Sequence, residues 1–270
     1  MWTRLLPALL VTAAVAPALA AATDWQELAP GVRARLIASD RLDDGLTLAG
    51  LELEMPAGTK TYWRVPGETG IPAQFDFSAS VGTGDAVVHW PYPQIDRSQG
   101  YLDYVYYGTL VVPIEVEIAA GAAGATLALN ATLGICSDIC VPAAASFALP
   151  LAFGAPDPAQ SIRLDQAMAT VPVLWDQPRQ PFATVEAGLD GSLHLANPDP
   201  TIDPQSVIAD LDDPSILFET PQKSPDGALW TLKPLGGAGV KGLEGRSVQL
   251  TFLTPLGPYA VTRTVAPSQP

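Results

Sequence analysis

Apolar residues recur at every second position through long stretches of this chain. Leu110, Val112, Ile114, Val116 and Ile118 fall on one side of an extended backbone, while Glu115 and Glu117 fall on the other. That is the period of a half-buried strand, not of a helix. Leu127, Leu129, Ala131, Leu133 and Ile135 repeat the pattern, and so do Phe147, Leu149, Leu151 and Phe153. Pro113 marks an edge or a bulge in the first run. Between Leu46/Leu48 and Leu51/Leu53/Met55 the phase slips by one, which predicts a bulge at Ala49-Gly50. Residues 32–37, 74–78 and 86–89 read as further short strands. The 27 prolines and 23 glycines supply the turns between them.

One segment breaks the alternation. Residues 157–170 predict a helix, with Asp157 as cap, Pro158 at its first position and Ile162, Leu164, Met168 and Val171 on one face. Short strands then resume at 183–186, 192–195, 207–211, 216–219, 229–232, 248–253 and 259–264. The expected fold class is all-β: an immunoglobulin-like antiparallel β-sandwich, a linker helix and a second, smaller β-sandwich. The expected boundaries are a signal peptide at 1–20, a first domain at 21–155, the linker at 156–175 and a second domain at 176–266. About 250 residues after the signal suffice for two ordinary domains.

The signal rests on Arg4, the apolar run from Leu5 to Ala16 and the cleavage pattern Ala18-Leu19-Ala20. The run is short for a membrane span and is interrupted by Pro7 and Pro17. An exported chain is therefore expected. The formal charge of −14, from 28 acidic and 14 basic side chains, argues against a nucleic-acid partner.

Cys136 and Cys140 are the two cysteines, held in Gly134-Ile135-Cys136-Ser137-Asp138-Ile139-Cys140-Val141-Pro142. A close pair in an exported protein is either a staple or a redox centre. As a staple it achieves little, since closing so short a loop contributes only about 2 kcal/mol in the chain-entropy model. As a redox centre it holds both an attacking and a resolving thiol. Strand parity sets Cys136 on the face opposite Leu133 and Ile135, away from the core, so an accessible pair is expected. Its sequence neighbours include no Lys, Arg or His, so the dithiol is expected to depend on its partner for activation. Two alternatives stay open. Two thiolates could hold Cu(I), making the chain a copper-binding module for tolerance or delivery. The bridge could also be inert, within a structural binding domain. No cofactor and no resident metal are expected, and the two histidines, His89 and His194, are not assigned as ligands.

Several segments in order carry a resemblance. They are Thr61-Tyr62-Trp63-Arg64-Val65-Pro66-Gly67, Gly70-Ile71-Pro72-Ala73-Gln74-Phe75-Asp76, His89-Trp90-Pro91, Tyr106-Tyr107-Gly108, Val111-Val112-Pro113-Ile114 and the cysteine segment itself. Over about residues 30–155 the chain resembles the N-terminal periplasmic domain of the DsbD/ScsB-type thiol:disulfide interchange proteins. The resemblance implies an immunoglobulin-like fold whose cysteine pair, here Cys136 and Cys140, acts as the redox-active disulfide of a protein-disulfide reductase. It implies periplasmic localisation, a membrane-embedded thiol electron donor and periplasmic thioredoxin-like acceptors, in the setting of cytochrome c biogenesis or copper tolerance. The chain departs from the family pattern in ending at Pro270 without a transmembrane carrier, so the donor is expected on a separate chain. It also implies a cap over the pair, which falls on about residues 91–101 and makes Tyr92, Ile95, Asp96 and Tyr101 cap or partner-binding candidates.

Overall fold

The computed structural model describes residues 21–39, 41–153, 158–236 and 240–267. The signal peptide and the Asp157 cap expected from sequence lie outside these residues. Among the described residues no helix is long and apolar enough to cross a membrane.

Eleven strands come first: β1 (Gln26–Ala29), β2 (Val32–Ala38), β3 (Leu46–Glu54), β4 (Lys60–Gly67), β5 (Gln74–Asp76), β6 (Thr83–Val88), β7 (Gln94–Asp96), β8 (Asp103–Tyr107), β9 (Thr109–Ile118), β10 (Ala125–Cys136) and β11 (Cys140–Leu151). They form two sheets, ordered β1-β2-β3-β9-β6 and β11-β10-β4-β8-β7, with β5 added on β10. The alternating residues of β9, β10 and β11 meet between the sheets with Leu36, Leu51, Trp63 and Tyr104. This is the expected antiparallel sandwich, and burial of these apolar faces drives it.

The predicted bulge in β3 is absent. Its register with β9 runs without a break from Leu46↔Glu117 to Glu54↔Thr109. The slip in phase instead records two apolar faces. Ala49, Leu51 and Leu53 enter the core, while the opposite face is covered by the helix α1 (Pro158–Met168). At Gly50 a Cβ would stand 2.8 Å from Leu164 Cδ2, so glycine is what lets the helix approach. Ser161, Leu164 and Ala167 are the buried face of that helix. Ile162 is exposed, contrary to the sequence pattern, because the buried face recurs every third residue from Ser161 through Leu164 to Ala167 and Ile162 lies off it. Phe153, expected inward, is exposed beyond the end of β11.

After the helix come β12 (Val173–Leu174), β13 (Thr184–Ala187), β14 (Leu193–Ala196), β15 (Ile208–Asp210), β16 (Gln222–Lys223), β17 (Leu229–Leu232), β18 (Ser247–Thr254) and β19 (Gly257–Thr264). They build two four-stranded sheets, β12-β19-β18-β15 and β13-β14-β17-β16, around Phe182, Leu195, Trp230, Leu250 and Phe252. Residues 216–219 make no strand; Phe218 forms one isolated bridge to Pro234. Within β15, Ala209 enters this second core, whereas Ile208 joins the core of the first sandwich together with Leu217. Asp210, two residues on and so on the same side as Ile208, accepts a hydrogen bond from Arg64 of β4. Tyr92 donates to the Ser206 carbonyl at 2.6 Å. The two sandwiches therefore share buried apolar and polar contacts.

Candidate active site

β10 and β11 pair residue for residue from Ala125↔Leu151 to Cys136↔Cys140, and Ser137-Asp138-Ile139 close the hairpin. The two cysteines are thus the last facing pair of the ladder, with Cα atoms 4.1 Å apart, and they are joined as a disulfide. Parity sets Cys136 away from the main core, as expected from the sequence, but that side is not open. Tyr62, Val105 and Cys136 form a separate small cluster on the outer face of the sheet, with Tyr107 packed against it. Cys136 is 1 % exposed, while Cys140 is exposed, as are its neighbours Ile139 and Val141. The expectation of an accessible pair holds for Cys140 and fails for Cys136.

The burial has a local cause. In β4, Trp63 and Val65 point into the core, which turns Tyr62 outward, over the end of β10. A Cβ on Gly134 would lie 2.7 Å from Ile71 Cβ and 3.0 Å from Tyr62 Cδ2, so the tyrosine lies flat only because residue 134 has no side chain. The Tyr62 hydroxyl donates to Cys136 Sγ at 2.8 Å and stands 3.4 Å from Cys140 Sγ. Burial raises its pKa above the ordinary tyrosine value, so it keeps its proton at neutral pH and acts as a donor.

A charged cluster adjoins the pair. β10 meets β4 at Cys136↔Lys60, and β4 meets β8 at Lys60↔Tyr107, so Cys136, Lys60 and Tyr107 stand in one row across three strands. Lys60 Nζ donates to Asp96 at 2.9 Å and to Asp103 at 3.1 Å. Its ammonium also lies 5.8 Å from the centroid of the Tyr62 ring. Asp103 accepts from the Thr69 hydroxyl at 2.6 Å and from its amide at 3.0 Å. Asp96 accepts from the Tyr107 hydroxyl at 2.7 Å and from the Ser98 amide at 2.9 Å. Burial acts to lower the Lys60 pKa, but the bonds to Asp96 and Asp103 outweigh it and hold Lys60 well above the ordinary lysine value. Burial likewise acts to raise Asp96, but the bonds from Lys60, Ser98 and Tyr107 hold it well below the carboxylate range. The Tyr107 hydroxyl is pushed up to about 12 by burial and by its bond to Asp96.

Of the four cap candidates, Asp96 is brought into this cluster. Ile95 packs against the main core, Tyr92 reaches Ser206 in the second sandwich, and Tyr101 is exposed. Tyr62, Lys60 and Asp103 are the residues that the local reading of the sequence missed. The absence of a cation beside the cysteines in sequence is overturned in space by the Cys136↔Lys60 pairing. The available signal was a large aromatic, Tyr62, on the outward parity of a strand. His194 lies in β14 of the second sandwich, 3.0 Å from the Ser192 hydroxyl. Among the described residues no group of three or more His, Cys, Asp and Glu side chains could hold a metal ion.

Comparison with known proteins places these observations. Residues 29–152 match the family described as thiol:disulfide interchange protein DsbD, N-terminal. The N-terminal periplasmic domain of ScsB from Proteus mirabilis superimposes with a TM-score of 0.67 over 92% of this chain and 99% of that one, at 23% identity, which speaks for the fold. A chimeric titin Z1Z2 carrying a decorin peptide gives a TM-score of 0.18 at 14% identity over 94% of this chain and 100% of that one, and carries no argument. No curated protein matches the chain.

Proposed function

We propose, from the premise that residues 29–152 belong to the DsbD N-terminal family, that this chain is a periplasmic thiol-disulfide exchange protein relaying electrons through Cys136 and Cys140. The observation that carries this reading is the asymmetry of the pair. Cys140 is exposed between exposed Ile139 and Val141, and Cys136 is buried under a tyrosine that donates to its sulfur. An outer thiol that meets the partner and an inner thiol that resolves is the division of labour that exchange needs.

In the reduced protein the Cys140 thiolate attacks one sulfur of an acceptor disulfide. A Cys140–acceptor S–S bond forms, the acceptor's own S–S bond breaks, and its second sulfur leaves as a thiolate. The Cys136 thiolate then attacks Cys140 Sγ, closing the bridge and releasing the acceptor's first sulfur. Two electrons pass from the dithiol to the acceptor, whose two thiolates take up the protons that Cys136 and Cys140 gave to solvent. A membrane-embedded thiol donor would recharge the pair by the reverse steps, and thioredoxin-like proteins are the acceptors. The Tyr62 O–H supports the inner thiolate, since a donor to the charged form lowers the cost of making it.

The test is trapping. Cys136→Ser leaves the outer thiol without its resolving partner and should accumulate a mixed disulfide with a thioredoxin-like protein; Cys140→Ser should not. The wild-type bridge should also open in a glutathione-range redox buffer, with a potential above the roughly −300 mV of inert structural bridges. A bridge that resists such a buffer, together with no trapped species, would overturn the relay.

A further inference from the structure

We propose that Lys60 is a positioning residue for the buried half of the dithiol: clamped by Asp96 and Asp103, its ammonium keeps Tyr62 in place and supports the Cys136 thiolate. The inference rests on the exchange reading above and adds to it the residue that sets how readily the resolving step occurs.

Lys60 occupies the central place in the row Cys136–Lys60–Tyr107. The charged and titratable groups around Cys136 come from every neighbouring strand: Lys60 and Tyr62 from β4, Asp103 and Tyr107 from β8, Asp96 from β7, and Asp138 and Cys140 from the hairpin. Lys60 is the single cation in that set. With it, the Lys60–Asp96–Asp103 cluster carries one net negative charge; without it, two carboxylates would stand unopposed beside a buried sulfur. A like charge raises the cost of ionising a neighbour. The sign therefore does not depend on the absolute pKa of Cys136: losing Lys60 must make the thiolate harder to form, and losing one carboxylate must make it easier.

The ammonium is also held still. Two carboxylates fix its position, and they are themselves fixed by Thr69, Ser98 and Tyr107. A cation 5.8 Å from the Tyr62 ring centroid then restrains the ring whose hydroxyl bonds Cys136. The same arrangement ties β7, which holds the candidate cap residue Asp96, to the strand beside the disulfide.

The reduced full-length protein is mixed with the aromatic disulfide dithiobis(nitrobenzoate), which needs no protein partner. Attack by Cys140 releases the first thionitrobenzoate; closure by Cys136 releases the second. Lys60→Met should move the pH midpoint of the second phase up by about one unit. At neutral pH its rate should fall about three- to fourfold, because lost thiolate is partly offset by the higher nucleophilicity of a more basic sulfur. Lys60→Arg should restore the profile. Asp96→Asn should move it in the opposite direction, a reversal that general damage to the fold does not produce. Should Lys60→Met fail to fold, the downward shift required of Asp96→Asn carries the test alone. A Lys60→Met profile that superimposes on wild type, or shifts of the same sign in both variants, would overturn the proposal. Opposed shifts in a protein that passes electrons to no thioredoxin-like acceptor would support the role of Lys60 and remove the relay.

Discussion

Ile208→Ala is the sharpest test of how the two sandwiches depend on each other. Ile208 belongs by sequence to β15 of the second sandwich, yet its side chain is 1 % exposed and lies in the core of the first. Truncation removes three carbons, a transfer loss of about 2.4 kcal/mol at ~0.8 kcal/mol per methylene-sized group. A buried site between packed sheets collapses incompletely, and the cavity term brings the expected cost to about 3–4 kcal/mol, within the ~2–5 kcal/mol range for such changes. For a cooperative unit of this size that is a fall in Tm of roughly 6–16 °C. The assay is scanning calorimetry of the full chain, with Leu256→Ala, on an exposed hairpin turn, as the control that should stay within about 0.5 kcal/mol. Because Ile208 joins both units, the whole endotherm should move, including the portion reporting the first sandwich. Two separate transitions, of which only the one for the second sandwich shifts, would refute the reasoning.

Tyr62→Phe removes the donor to Cys136 Sγ and keeps the ring. A hydrogen bond to a charged acceptor is worth about 1.5–3 kcal/mol, so the Cys136 thiol should titrate roughly one to two units higher, read from the pH profile of bridge closure. Replacing both cysteines with serine should cost only about 2 kcal/mol, from the short loop they close, so chemical denaturation should still show a cooperative transition. Asp96 has its folded pKa held below the unfolded value of about 3.9. Its stabilising effect is therefore complete above that unfolded value and is lost as pH falls through the folded one. On acidification the stability gap between wild type and Asp96→Asn should shrink, and a gap that stays constant across that window would contradict the assignment. Arg64→Ala should destabilise by about 3–5 kcal/mol, since it leaves the Asp210 carboxylate buried without its cation.

The main sandwich was legible because its strands alternate strictly. The runs at Leu110–Ile118, Leu127–Ile135 and Phe147–Leu151 each have one face that water rejects, and a half-buried antiparallel sheet is what such runs build. β3 does not follow this rule. Its central strand is covered on both faces, by the core and by α1, so two interleaved apolar sets looked like one set that had slipped. β15 shows the limit most plainly: nothing in Val207-Ile208-Ala209-Asp210 says that adjacent residues serve different cores.

The site divides along the same line. Cys136 and Cys140, their closeness and the outward parity of Cys136 follow from the sequence, because a two-residue period fixes which way each side chain points once the strand is known. That Cys136 is buried and Cys140 exposed was decided by the tertiary structure, as was the placing of Lys60, Tyr62, Asp96 and Asp103 around them. These residues lie 33 to 76 positions before Cys136 in the chain. Strand alternation is a local property of the backbone, but the register of one strand against another, and so which charge stands beside which sulfur, is set by the packing of the whole sheet.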